Sequence, residues 1–202
     1  IVDINFLRTV LGEEITIGIM GTGNSGKTTC QQKMRCKEVT ADALTRTIDV
    51  EEFYPSGCPN LVIMDFPHTN SMRSPKVFDS VLMNSFFVDI AIVVVNAAEE
   101  NDEFYEAVEF AKQLNSEMSV WANKAGFLFS DDTGTSLKLS KKQIETRKHL
   151  TAAKVGVRPE EFFYASWLTG PKAQITEQQA KANGIANIED VRDWIHTRLE
   201  KR

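Results

Sequence analysis

A run of small and polar residues near the start of the chain has the composition of a phosphate-binding loop. Residues 21–28 read Gly-Thr-Gly-Asn-Ser-Gly-Lys-Thr, which fits the spacing Gly-x-x-x-x-Gly-Lys-Thr. Small residues let successive backbone N–H groups curl around phosphate oxygens, and the N-terminus of a following helix adds its positive dipole. We therefore predict that this segment binds the phosphates of a nucleotide. The predicted contact residues are Gly21, Thr22, Gly23, Asn24, Ser25, Gly26, Lys27, Thr28 and Thr29.

The lysine and the threonine at the end of this motif are its candidates for binding phosphate and metal. The Lys27 ammonium is expected to reach the β- and γ-phosphates, and the Thr28 hydroxyl is expected to ligate Mg²⁺. The alternative is a glycine-rich turn that binds no nucleotide. An apolar run directly before the motif and a helical pattern directly after it favour the phosphate role, because that role needs a strand and a helix at these places.

An aspartate at the end of a later apolar run is a second candidate for the metal. Asp65 follows the run 61–64, and a carboxylate at the end of such a strand is placed to hold the metal through water. Without the phosphate loop, an aspartate that caps the following turn would be the simpler interpretation. Thr40, Thr45 and Thr47 lie between the two motifs, and we choose Thr47 as the residue that a mobile loop brings to the magnesium and the γ-phosphate.

Two further strand ends supply candidates for contact with the nucleotide base. Asn123 and Lys124 follow one apolar run, and Ala165 and Ser166 follow the next. Ligands of open α/β sheets bind at the carboxyl ends of the strands. An Asn-Lys pair alone is common in solvated turns, but the order and spacing of these pairs after the phosphate loop favour base contacts.

The apolar patterns around these residues predict an α/β fold, because short β-like runs alternate with longer runs of helical spacing. The predicted strands are 15–20, 49–53, 61–65, 89–96, 118–123 and 161–165. The predicted helices are 26–36, 75–86, 102–114, 140–154 and 187–200, with a short one at 3–11. The stretches 126–139 and 168–186 have little pattern, and we expect loops there.

Size and composition favour one globular domain. The chain has 202 residues, of which 42% are hydrophobic and 25% charged, and its longest apolar run is too short for a transmembrane helix. With a net charge of −5, the chain lacks the excess of basic residues that is typical of nucleic-acid-binding proteins, so we expect no nucleic-acid partner. The cysteines form no C-x-x-C pair, so we expect reduced thiols in a cytoplasmic protein. Because the chain begins without Met, we expect residues 1–202 to be part of a longer protein.

Together these motifs resemble the GTPase superfamily. The phosphate loop is followed in that family's order by Asp65 for D-x-x-G, Asn123-Lys124 for N-K-x-D and Ala165-Ser166 for the last base-contacting loop. The resemblance implies a single three-layer P-loop NTPase domain, with a mostly parallel sheet of about six strands and helices on both faces. It also implies GTP or GDP as ligand, Mg²⁺ as cofactor and a molecular-switch function. Within the superfamily, the stretches 59–67, 87–90, 100–102 and 162–164 are similar to the immunity-related GTPases.

Two positions depart from the superfamily pattern. His68 stands where D-x-x-G has Gly, and its side chain restricts the backbone that approaches the γ-phosphate. Gly126 stands where the Asp of N-K-x-D reads guanine, and the loss of that acceptor is expected to cost about a few kcal/mol of specificity unless Asp131 or Asp132 replaces it. For catalysis we expect Lys27 to stabilise charge on the phosphoryl group, and His68 is the candidate for positioning water.

Several functions stay open on the sequence alone. A slow or atypical GTPase is the leading interpretation, a pseudo-GTPase interaction module that binds nucleotide without turnover is the second, and an ATP-using P-loop enzyme is the third. We expect a protein partner or a homodimer contact to complete the site, and membrane contact only through segments outside this chain. Asn24 resembles the Asn with which potassium-activated GTPases hold K⁺, while the alternative is a turn-forming Asn with unusual φ.

Overall fold

A six-stranded sheet forms the centre of the molecule. The computed structural model describes residues 14–34, 50–53, 61–69, 74–114, 116–131, 137–168 and 175–201. Its strands are β1 (Ile15–Gly21), β2 (Glu51–Phe53), β3 (Leu61–Asp65), β4 (Ile90–Asn96), β5 (Glu117–Asn123) and β6 (Phe162–Tyr164). The strand order is β2-β3-β1-β4-β5-β6, with β2 antiparallel to β3 and every other pair parallel. The predicted mostly parallel sheet is confirmed.

Helices connect these strands, and several of them begin at a residue whose side chain caps the helix. They are α1 (Lys27–Met34), α2 (Pro75–Ser85), α3 (Asp102–Lys112), α4 (Ala125–Phe129), α5 (Lys141–Val155), α6 (Glu177–Ala182) and α7 (Ile188–Leu199). The Asn101 side chain, for example, accepts a hydrogen bond from the backbone N–H of Phe104 and starts α3. Among the described residues, every helix is too short or too polar to span a bilayer.

Helices cover both faces of the sheet, as β4 illustrates. Ile90, Ile92 and Val94 belong to a buried cluster that also contains side chains of α1 and α7. The alternate residues of β4 belong to a second cluster, built with side chains of α2, α3 and α5. A strand that is buried on both faces needs apolar side chains at every position, which explains the continuous apolar run. The predicted three-layer α/β fold is therefore confirmed.

Two stretches that the sequence predicts as loops contain short helices. The first is α4, which overlaps the start of the stretch 126–139. It begins beside Lys124, whose backbone is in the left-handed conformation, and it buries Ala125 and Phe129. The second is α6, inside 168–186, which Thr176 and Gln179 start with a reciprocal capping box. Both helices span less than two turns, too short to give a clear helical period, so their apolar side chains do not reveal them in the sequence.

Several predictions lie outside the described residues. These are the helix at 3–11 and the side chains of Thr40, Thr45, Thr47 and Asp132. The metal role of Thr47 therefore stays a prediction.

One face of α2 and the turn after it expose large apolar side chains. They are Phe78, Leu82, Met83, Phe86 and Phe87. Phe86 is 75% exposed. Contiguous apolar surface of this kind is typical of sites that contact other macromolecules.

Candidate nucleotide-binding site

The predicted phosphate loop connects β1 to α1, and glycines at both of its ends set its shape. Gly21 has φ 137° and Gly26 has φ 97°, a backbone region that favours glycine. A Cβ on Gly21 would lie 1.8 Å from the Val94 carbonyl oxygen, and one on Gly26 would lie 2.5 Å from the Asn123 amide nitrogen. The loop can therefore pass this close to β4 and β5 only with glycine at these two positions.

Hydrogen bonds hold the middle of the loop. The Thr22 N–H donates to the Val94 carbonyl over 3.1 Å, and the Ser25 hydroxyl donates to the Thr22 carbonyl over 2.8 Å. Asn24 lies between them, exposed, with φ 53°. Asn adopts this left-handed conformation more readily than most residues, so the geometry gives Asn24 a turn-forming role, and its contact with K⁺ stays a prediction.

Lys27 is a buried cation inside the loop. Its side chain is 8% exposed, and its Nζ donates to the Gly21 and Thr22 carbonyls over 3.2 and 2.7 Å. Burial lowers the pKa of Lys27 from 10.5 to about 8, although the carboxylates of Asp65 and Glu103 oppose this shift. The protein thus buries a positive charge at a cost, which is typical of a group kept for a ligand rather than for stability.

The cost of burying the Lys27 charge predicts that Lys27→Met changes stability by an amount that depends on pH. Between pH 8 and 10.5 the unfolded chain binds more protons at this lysine than the folded chain, so wild-type stability rises relative to the variant as pH increases. We expect the difference in unfolding free energy to shift by about 2 kcal/mol in favour of wild type between pH 7 and pH 10. Urea unfolding at both pH values measures it, with the exposed Lys142→Met as control. An equal shift in both variants would contradict the prediction.

The predicted metal ligands lie at the same edge of the sheet. Asp65 ends β3 and is 1% exposed, in register with Ile19 of β1. Thr28 lies in the first turn of α1, directly after the phosphate loop. Because β1 and β3 are parallel neighbours, their carboxyl ends bring the loop and Asp65 together. The charge of Asp65 acts on Lys27 through this proximity.

His68 and Glu103 lie beside Gly23. The Glu103 carboxylate accepts a hydrogen bond from the Gly23 N–H over 3.0 Å, and its Oε1 is 3.9 Å from His68 Nδ1. A Cβ on Gly23 would lie 3.8 Å from Glu103 Oε1 and 3.9 Å from His68 Nδ1. Sequence reasoning missed Glu103, whose one signal is that it follows β4, the strand next to β1.

Asn123 ties the phosphate loop to the predicted base loop. Its side-chain N–H donates to the Ser25 carbonyl over 2.8 Å, and its Oδ1 accepts from the Trp167 N–H over 3.2 Å. The backbone N–H groups of Ala165 and Ser166 donate to the Ala122 and Ala186 carbonyls. The structure thus ties Asn123 to the phosphate loop, while the backbones of Ala165 and Ser166 bond to neighbouring parts of the sheet edge rather than to the loop.

We expect Asn123→Ala to lower the free energy of unfolding by about 2 to 3 kcal/mol. The substitution leaves the Ser25 carbonyl and the Trp167 N–H buried without their partner, and each such group costs about 1 to 3 kcal/mol. Urea unfolding measures the loss. Asn96→Ala is a matched control, because Asn96 is also buried at a strand end, and the bond that its side chain makes within the described residues is a local one, from the Ala98 N–H. Equal losses in the two variants would contradict a special role for Asn123.

The remaining predicted base-site positions follow β5 and β6. Lys124 has φ 63° and starts α4, in which Gly126 is buried. Trp167 is 3% exposed and packs near Gly26, so its side chain has a packing role. Asp131 is half-buried, and its role as a substitute base acceptor stays a prediction.

Comparison with known proteins gives matches among solved structures. No protein-family model and no curated protein matches the sequence. A probable GTP-binding protein, EngB, matches with a TM-score of 0.60 and 19% identity over 93% of this chain and 100% of that chain. A mutant of NFeoB from S. thermophilus, bound to GMPPNP, matches with a TM-score of 0.52 and 18% identity over 75% of this chain and 55% of that chain.

At sequence identities of 18 to 19%, the similarity to these structures shows a shared fold. The shared sheet and helices place the phosphate loop of this chain after the first strand of a mostly parallel six-stranded sheet, as in an α/β nucleotide-binding fold. The chain therefore has the three-layer P-loop fold of these two solved structures.

Proposed function

We propose that this chain binds a guanine nucleotide with Mg²⁺ and acts as a slow or atypical GTPase of the molecular-switch type. The observation that carries the proposal is Lys27, a lysine buried in a glycine-shaped loop at the carboxyl end of β1 with Asp65 beside it. A charge held this way gains from an anionic ligand that the loop can surround.

The residues present fit a bound phosphate chain. Thr22 is 4% exposed, and its Oγ1 has no hydrogen-bond partner among the described residues, so a phosphate oxygen would satisfy it. The first turn of α1 leaves its N–H groups without acceptors within the helix. Phosphate oxygens would therefore meet both backbone and side-chain donors at the loop.

Each charged residue then has a separate task. Lys27 would exchange its bonds to loop carbonyls for bonds to phosphate oxygens and would stabilise charge on the γ-phosphoryl group. Thr28 and Asp65 would hold Mg²⁺, with Thr47 as a further proposed ligand. The bound ion would neutralise the charge that develops during phosphoryl transfer. His68 is the proposed group for positioning the attacking water, because it lies beside Gly23.

A pseudo-GTPase that binds nucleotide without turnover is the second candidate. Two observations favour it. His68 lies near Glu103, beside the part of the loop proposed to bind the terminal phosphate. Both the N–H and the oxygen of the Asn123 side-chain amide are hydrogen-bonded to the protein backbone. An ATP-using enzyme is the third candidate, since Gly126 removes the acceptor by which the superfamily pattern selects guanine.

A titration distinguishes these candidates. Fluorescent GTP, GDP and ATP analogues are added to the purified protein with Mg²⁺, in sodium and then potassium buffer, while phosphate release is followed. We expect GTP and GDP to bind more tightly than ATP and phosphate to be released slowly. Binding without release would favour the pseudo-GTPase, and preference for ATP would favour the third candidate. Stimulation by potassium would support the Asn24 contact with K⁺, and no binding of any nucleotide would reject the proposal.

A protein partner or homodimer is part of the proposal. The apolar side chains that α2 exposes support a contact with protein. Light scattering with and without GMPPNP tests the homodimer, because a second copy that completes the site should associate when the triphosphate is bound.

A further inference from the structure

The Glu103 side chain is held against the phosphate loop by a contact distant in sequence. It lies in the first turn of α3 next to Asp102, and acidic residues are common there because they interact well with the helix dipole. Asp102 is exposed, as that role predicts, whereas the Glu103 side chain is 17% exposed and reaches Gly23. The helix dipole alone therefore does not explain its position.

Two features place the Glu103 carboxylate where a terminal phosphate would bind. It accepts a hydrogen bond from the Gly23 backbone N–H, and phosphate oxygens bind to loop N–H donors of this type. It also lies near His68, at the position of the superfamily motif that approaches the γ-phosphate. In addition, its charge acts on Lys27, the cation that would pair with the phosphates. The carboxylate thus makes in the protein itself contacts that an anionic ligand would make.

We propose that Glu103 determines which nucleotide state the site prefers, by competing with the γ-phosphate and so favouring the diphosphate over the triphosphate. The inference rests on the proposed function. A triphosphate must either displace the carboxylate from Gly23 or lie close to a like charge, and both cost affinity. A diphosphate does not extend to this end of the loop and meets neither cost.

Glu103→Gln tests this competition, because it removes the charge and keeps a carbonyl oxygen that can accept from the Gly23 N–H. Affinities for GMPPNP and GDP are measured in Mg²⁺ by calorimetry for wild type, Glu103→Gln and the exposed Glu106→Gln on the same helix. We expect Glu103→Gln to tighten GMPPNP binding about tenfold, as one charged contact of this kind allows, with GDP changed less than about twofold. Glu106→Gln should leave both affinities as in wild type, and thermal unfolding of each variant checks that the fold is kept.

Inorganic tripolyphosphate and pyrophosphate, measured on the same three proteins, separate this inference from the choice of base. A shift towards tripolyphosphate in Glu103→Gln supports the inference even where no guanine nucleotide binds, in which case the proposed function alone fails. Nucleotide binding with an unchanged or reduced preference for GMPPNP in Glu103→Gln overturns the inference and leaves the proposed function standing. Absence of binding by every phosphate compound to every protein overturns both.

Discussion

Lys27→Ala is expected to reduce the affinity for GTP in magnesium at least about a hundredfold, to the point where triphosphate binding is lost. The substitution removes the buried cation of the phosphate loop, and with it charge-assisted bonds to phosphate oxygens that are worth about 1.5 to 3 kcal/mol each. Fluorescence titration with a GTP analogue measures the loss. Circular dichroism of the variant confirms that the fold is kept.

The exposed Lys181→Ala is the control for this substitution, because it removes the same charge far from the loop in sequence and lies on α6. Its affinity for GTP should stay within about twofold of wild type. Unchanged affinity in Lys27→Ala would mean that the loop does not bind phosphate, and the nucleotide proposal would fall with it.

Gly21→Ala is expected to destabilise the protein by at least about 4 kcal/mol, a large share of the stability of a typical domain. The new Cβ would lie 1.8 Å from the Val94 carbonyl oxygen, and the backbone has φ 137° at this position. Both atoms involved belong to the sheet, so relief requires β1 to move away from β4. We expect little folded protein, measured by urea unfolding or by recovery of soluble protein.

Gly23→Ala is the matched control, since it makes the same change in the same loop. Among the described residues, the heavy atom nearest to its new Cβ would be Glu103 Oε1 at 3.8 Å, an ordinary contact distance. Stability should therefore change by less than about 1 kcal/mol. Comparable losses in the two variants would show that the close approach of Gly21 to β4 does not control folding.

The sequence predicts the central strands of the sheet well because they are buried on both faces. β3 has the predicted bounds, and β4 differs by one residue at its start, since strands covered on both faces form continuous apolar runs in the sequence. The glycine spacing also predicts the place of the phosphate loop, because a loop that packs this close to β4 and β5 needs glycine at Gly21 and Gly26.

Contacts between distant parts of the chain could not be predicted in the same way. Glu103 and Gly23 are 80 positions apart, and only the packing of α3 beside the loop brings them together. Asn123 is recognisable as a motif residue, but its bonds to the Ser25 and Trp167 backbones have no sequence signal, since backbone groups are present at every position. Such contacts depend on the tertiary structure rather than on local preference.

The antiparallel strand β2 protects one edge of the sheet from association with other molecules. It lies at one edge of the described sheet, spans Glu51–Phe53, and exposes the carboxylates of Glu51 and Glu52. A short, negatively charged edge discourages strands of other molecules from pairing with it. The two exposed glutamates thus help to keep this edge of the sheet from joining the strands of other molecules.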